Sequence, residues 1–138
     1  MALVLDTGVM YAALDASDPD HARCSDLLER ATEDLLVPAP VLVELDYWVR
    51  KFASAEAWLA FMERLVDGAF GVYRLDDGEL LAAAKIQARY PEVRLGFVDA
   101  AVFVTCESLS ESKVATLDRR HFSLLRTADG RALEILPD

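Results

Sequence analysis

The stretch Leu3-Val4-Leu5-Asp6-Thr7-Gly8-Val9-Met10 decides the architecture. Three consecutive apolar residues end at an acid, and Val9, Met10, Ala13 and Leu14 then follow at helical rather than alternating spacing. A short strand without polar alternation is buried on both faces, the mark of a parallel sheet covered by helices. The chain thus opens as strand, acid, helix.

The same alternation continues outward. Asp18-Pro19 predicts a helix start leading through Ala22, Leu27 and Leu28. Leu35-Leu36-Val37 predicts a second strand closed by Pro38 and Pro40, with helices over 41–52 and 54–66, the latter capped by Ser54. Phe70 to Leu75 predicts a third strand and Asp77 to Arg89 a helix, which Pro91 interrupts. Phe97 to Leu109 is apolar nearly all round and predicts a buried helix. Lys113 to Thr116 predicts a fourth strand and Leu133 to Leu136 a short fifth. Strands alternating with helices define an α/β fold with a mostly parallel sheet. With 138 residues and no internal linker, one domain over residues 1–138 is expected.

Composition narrows the class. Hydrophobic residues make up 54% and charged ones 28%, which excludes a disordered chain. No apolar run approaches the ~20 residues of a membrane span, and residues 1–5 lack a basic signal-peptide start, so a cytoplasmic protein is expected. Cys24 and Cys106 have no C-x-x-C spacing, and in a reducing compartment they are expected to stay free thiols. His21 and His121 lack zinc-type spacing and are expected at the surface or hydrogen-bonded. A net charge of −10 argues against bulk attraction to nucleic acid. That charge is uneven, however: residues 1–40 hold two basic and eight acidic side chains, residues 113–138 five and four.

In an open parallel sheet a ligand site lies beyond the carboxyl ends of the strands. Asp6 follows the first strand directly, and Asp118 lies just past the fourth. Glu44 shares a helix face with Val41, Leu45, Trp48 and Phe52, so it should point inward, whereas Asp46, rotated by about 200°, should face water. Asp99 lies near the start of the most apolar helix, on a face with Val102, Phe103 and Cys106. Each acid also has a structural use: Asp6 and Asp118 as N-caps, Asp99 at the positive end of a helix, Glu44 reaching from an apolar flank to water. Together they would repel one another unless a cation neutralised them. Carboxylate oxygens suit Mg²⁺ or Mn²⁺, and such an ion suits phosphodiester hydrolysis by an activated water.

The ordered set of motifs resembles the PIN-domain ribonucleases, and within them the VapC-type toxins of toxin–antitoxin pairs. It comprises Val4-Leu5-Asp6-Thr7-Gly8-Val9-Met10, Glu44 within Val41-Leu42-Val43-Glu44-Leu45, Phe97-Val98-Asp99-Ala100-Ala101, and Ala115-Thr116-Leu117-Asp118-Arg119-Arg120-His121-Phe122. The resemblance implies a PIN-like three-layer fold around a five-stranded sheet, usually dimeric, and endonucleolytic cutting of RNA. It implies an acidic metal pocket of Asp6, Glu44, Asp99 and Asp118, with Thr7 and Thr116 as supporting hydroxyls. It also implies a cognate antitoxin that places a basic side chain in that pocket. Gly8 departs from the small polar residue or Ser often found there in the family, and Leu117 from the Asn or small residue common before the last acid.

RNA must still approach an acidic chain, and Arg119 and Arg120 are the cations best placed to bind it, with His121, Arg126, Arg131 and Arg94 nearby. Trp58, Phe61, Met62 and Leu65 form a helical stripe that fits either the core or a partner groove. Aspartate-nucleophile phosphatases need a second acid two residues after the first, where Gly8 stands, and response-regulator receivers need paired acids after the first strand. The leading reading is a Mg²⁺- or Mn²⁺-dependent endoribonuclease toxin, and the alternative is an inactive PIN-like module that binds protein or RNA without cutting.

Overall fold

A computed structural model describes residues 1–138. Ala2–Leu5 is β1, followed by α1 (Thr7–Leu14) and α2 (His21–Arg30). Then come β2 (Asp34–Pro38), α3 (Ala39–Phe52), α4 (Ala55–Val66), β3 (Gly71–Tyr73) and α5 (Asp77–Arg89). A 3₁₀ turn over Pro91–Val93 leads to α6 (Phe97–Ser108), β4 (Lys113–Ala115), α7 (Arg119–Phe122) and β5 (Glu134–Leu136).

The five strands lie in the order β3-β2-β1-β4-β5, and every pairing is parallel. β1 is therefore the central strand. Leu3, Val4 and Leu5 are at most 1% exposed, so each contributes about 1.5–3 kcal/mol of burial. Successive crossovers run one way from β1 through β2 to β3 and the other way through β4 to β5. Right-handed connections then place α1–α4 on one face and α5 and α6 on the other. α6 accordingly packs on β1, β2, β4 and α5, and its residues Ala100 to Cys106 are all buried. α3 touches α1 and α4 but also reaches α6 at the carboxyl edge of the sheet.

Most element boundaries follow the expected signals. Ser54 caps α4 by accepting from Ala57 N, and Asp76 begins α5 with a reciprocal capping box to Glu79. The differences are local. Helix α2 starts at His21 rather than Asp18, because Asp15 and Asp18 carboxylates accept backbone N–H groups two residues on and hold that stretch in turns. Helix α3 begins two residues early, since Pro40 is tolerated in a first turn. The third strand is only three residues long, and α7 had no periodic signal because it is a single turn.

Phe52 departs from the expected inward face: it lies 61% exposed at the end of α3, edge-on to the Tyr11 ring. The Trp58 stripe belongs to the core, with Phe61 buried between the Trp58 and Phe70 rings at 5.6 and 5.4 Å. Cys24 and Cys106 are free and buried, and His21 shares a 2.8 Å hydrogen bond with the Ala12 carbonyl oxygen. No helix is long and apolar enough to cross a membrane.

Candidate metal centre

Asp6, Thr7, Gly8, Glu44, Trp48, Asp99, Leu117 and Asp118 line one open cleft at the carboxyl edge of the sheet. Four separate elements of chain supply its four acids: the end of β1, helix α3, the first turn of α6 and the loop after β4. Asp46 stays outside, half-exposed and paired with Arg50 at 2.5 Å.

Asp6 forms the floor, only 5% exposed. Its Oδ1 accepts the Thr7 N–H at 2.8 Å, which makes it the N-cap of α1, and its Oδ2 accepts the Thr116 hydroxyl at 2.7 Å. Capping and site roles are thus combined, because capping uses one oxygen. Burial, with Asp99 and Glu44 adding negative charge, pushes the Asp6 carboxyl up to about 7 despite these two donors. Asp99 is raised as well, chiefly by desolvation and then by the charges of Asp118 and Glu44. Its carboxylate lies against Gly96: a Cβ built there would stand 3.3 Å from Asp99 Oδ2, so the glycine keeps that flank open.

Asp118 is the N-cap of α7: its Oδ1 accepts the His121 N–H at 3.1 Å, while Oδ2 lies 2.8 Å from His121 Nδ1. The backbone N–H of Asp118 donates to the Thr116 hydroxyl at 3.0 Å, so Thr116 joins two acids. No lysine or arginine forms an ion pair with Asp6, Glu44, Asp99 or Asp118; His121 is the single cationic candidate in contact.

Thr7 Oγ1 is buried and has no hydrogen-bond partner, although Thr7 lines the cleft. A buried hydroxyl without a partner costs about 1–3 kcal/mol unless something bonds it. Un-neutralised carboxylates around such a hydroxyl fit a hard divalent cation with its waters, in oxygen chemistry suited to Mg²⁺ or Mn²⁺.

Two residues of this site were not expected from sequence. Trp48, assigned to the apolar face of α3, lines the cleft beside Glu44 and meets Tyr11 edge-on at 6.1 Å. His121 joins the acids: one ligand atom each from Asp99, Asp118 and His121 lie within 4.8 Å of one another. The signal for His121 was its three-residue spacing from Asp118, legible only once that segment is known to be a helical turn. The two departures from the family pattern, Gly8 and Leu117, adjoin each other: a Cβ on Gly8 would sit 3.7 Å from Leu117 Cβ.

The arginines divide. Arg119 turns away from the cleft and donates to the Ile135 and Pro137 carbonyls at 3.0 and 2.9 Å, fastening the C-terminal strand. Arg120 is exposed and has no ion pair.

The PIN domain family matches residues 3–128. The chain is 35% identical over 135 residues to the ribonuclease VapC26 of Mycobacterium tuberculosis, covering 98% of this chain and all of that one. Among solved structures it resembles VapC20 of Mycobacterium tuberculosis, a sarcin–ricin loop cleaving toxin, with a TM-score of 0.76 at 19% identity. That alignment covers 81% of this chain and 86% of VapC20. It also resembles VapBC2 from Rickettsia felis, solved bound to a DNA fragment from its promoter, with a TM-score of 0.69 at 14% identity over 98% and 97% of the two chains. At such identities the structural likenesses establish the fold alone, an α/β arrangement of the kind expected from the sequence, with a sheet that is wholly rather than mostly parallel. The family match over nearly the whole chain and the near-full-length identity to VapC26 together establish that this protein belongs to the PIN-domain family, as a member of the VapC ribonuclease type.

Proposed function

We propose that the chain is a divalent-metal-dependent endoribonuclease, the toxin of a toxin–antitoxin pair, which hydrolyses RNA phosphodiester bonds in its four-carboxylate cleft. The observation that carries this reading is four acids converging from four elements with no arginine or lysine to neutralise them. A fold gains nothing from that arrangement by itself, since the neighbouring carboxylates and burial make the charged forms of Asp6 and Asp99 harder to hold.

Mg²⁺ or Mn²⁺, when bound, would supply a more nucleophilic water and neutralise charge building on the phosphoryl oxygens. The protein's part is to hold and orient. Asp6 is fixed by Thr7 N–H and Thr116 Oγ1, leaving its remaining lone pairs for the ion. Asp99, Asp118 and Glu44 provide further oxygens from the cleft walls, and Thr7 Oγ1 offers a group to an ordered water. Arg120 is the free cation nearest in sequence to Asp118 and steers the RNA backbone. A chain of net charge −10 then binds RNA through the ions and this local cation rather than through its average surface. A basic antitoxin segment complements the same acidic cleft, since a guanidinium pairs with carboxylates in a bidentate fork.

The test is cleavage of RNA by purified protein with added Mg²⁺ or Mn²⁺, comparing wild type with Asp6→Asn and Asp99→Asn. Metal-dependent cleavage by wild type and loss in both variants is expected. Equal cleavage by all three proteins overturns the assignment, and binding without cutting by all three favours an inactive module.

A further inference from the structure

Helix α7 is four residues long, and its His121 is the one side chain in contact with the acid set that can offer nitrogen to an ion. The backbone N–H of His121 donates to Asp118 Oδ1, and the ring Nδ1 lies 2.8 Å from Asp118 Oδ2. One helical turn thereby delivers an imidazole and a carboxylate to the same point. An octahedral ion holding ligands at about 2.1 Å separates neighbouring ligands by about 3 Å and opposite ones by about 4.2 Å. The 2.8 Å Nδ1–Oδ2 contact is a hydrogen bond, and an ion bound by the pair takes the place of its proton. One ligand atom each from Asp99, Asp118 and His121 lie within 4.8 Å of one another, close enough for the three side chains to share one ion.

An N-cap with an imidazole hydrogen bond would account for Asp118 and His121 but not for Asp99, a half-buried acid set against Asp118 at an electrostatic cost. An independent feature points to a ligand in the same cleft: Thr7 Oγ1, on a residue 1% exposed, has no partner. Donor chemistry then decides the kind of ion. Oxygen-only sets accept Mg²⁺ readily, whereas imidazole nitrogen favours first-row transition ions.

We infer that Asp99, Asp118 and His121 form a mixed nitrogen–oxygen site that selects a transition-metal ion such as Mn²⁺ over Mg²⁺. This rests on the metal-dependent reading above and narrows it to the ion used. Asp6 and Glu44, with oxygen donors only, supply no such preference.

The test is Mn²⁺ titration of full-length wild type and His121→Asn, followed by electron paramagnetic resonance, with Mg²⁺ as competitor and a pulsed measurement of ¹⁴N coupling to bound Mn²⁺. Wild type should show nitrogen coupling and bind Mn²⁺ at least about tenfold more tightly than Mg²⁺. His121→Asn should lose the coupling and about tenfold in Mn²⁺ affinity, with Mg²⁺ affinity changed by no more than about twofold. Absence of nitrogen coupling in Mn²⁺-loaded wild type, a measurement needing no variant, overturns the inference. Coupling that survives in His121→Asn, or equal Mn²⁺ affinity in the two proteins, overturns it as well. Cleavage is scored separately: RNA cut by wild type and spared by Asp6→Asn, with no nitrogen coupling, defeats this inference alone. Nitrogen coupling without cleavage defeats the ribonuclease reading and leaves the ion site standing.

Discussion

Thr116 and Asp6, 110 residues apart in the chain, are joined by a 2.7 Å hydrogen bond in which the threonine hydroxyl donates to the carboxylate. The same hydroxyl accepts from Asp118 N–H, so one side chain sets the relative position of two acids. Replacing it with valine keeps the shape and deletes the donor. Thr116→Val should destabilise the fold by about 1–3 kcal/mol and weaken divalent-ion binding at neutral pH, because Asp6 then holds its proton more strongly. Thr116→Ser should retain both properties. Thermal melts and Mn²⁺ titration of the two variants check this, and equal behaviour would remove Thr116 from the supporting role.

The raised acids give metal-free protein an inverted pH dependence. A carboxyl whose folded pKa exceeds its unfolded value binds more protons when folded, so its contribution to stability declines as pH rises. For Asp6 the decline runs from about pH 4 to about pH 7 and amounts to at most about 4 kcal/mol, with Asp99 adding in the same direction. Metal-free wild type should therefore melt at a lower temperature at pH 7.5 than at pH 5, and Asp6→Asn should flatten the profile. Saturating Mn²⁺ should reverse the slope. A melting temperature that climbs with pH in metal-free wild type would contradict the buried, charge-crowded floor.

The two arginines after Asp118 should separate experimentally. Arg120→Ala should weaken RNA binding and reduce its salt dependence by about one charge. Arg119→Ala should chiefly loosen β5, lowering stability by about 1 kcal/mol through the lost bonds to Ile135 and Pro137 while leaving the salt slope near that of wild type. Fluorescence anisotropy at several salt concentrations distinguishes them, and a salt slope lowered equally by both substitutions would return Arg119 to the RNA surface.

The chain's own pattern made the central strand, the buried α6 and the inward turn of Glu44 legible, because burial leaves periodic marks in sequence. Asp6 and Asp118 were visible as acids at strand ends, although capping alone would give the same residues. What stayed hidden depended on pairs meeting across the fold. Trp48 reads as core on a helical wheel, and only the approach of α3 to α6 turns its face toward the acids. Arg119 reads as a substrate cation until the end of β5 offers it two carbonyls. His121 needed a four-residue helix too short to show a period.

Gly8 is the second residue of α1, and the space above it is bounded by Leu117 at ordinary van der Waals distance. Gly8→Ala should therefore fit without rearrangement and stabilise the protein by about 0.5–1 kcal/mol by restricting the unfolded chain. A lower melting temperature for Gly8→Ala would show that Leu117 is held more tightly than its contacts indicate.

The strand order also sets a schedule. Synthesis makes the middle of the sheet first and the neighbour on one side of it nearly last, since β1 ends at Leu5 and β4 at Ala115. Asp6 is made before the hydroxyl that fixes it and before the acids that face it, which arrive further along the chain. A nascent chain ending before Thr116 lacks the hydroxyl that holds Asp6 as well as Leu117 and Asp118 of the cleft lining, so a premature stop there leaves the cleft unbuilt. The cleft is thus withheld from the machinery that makes the chain until Thr116 and Asp118 have been added.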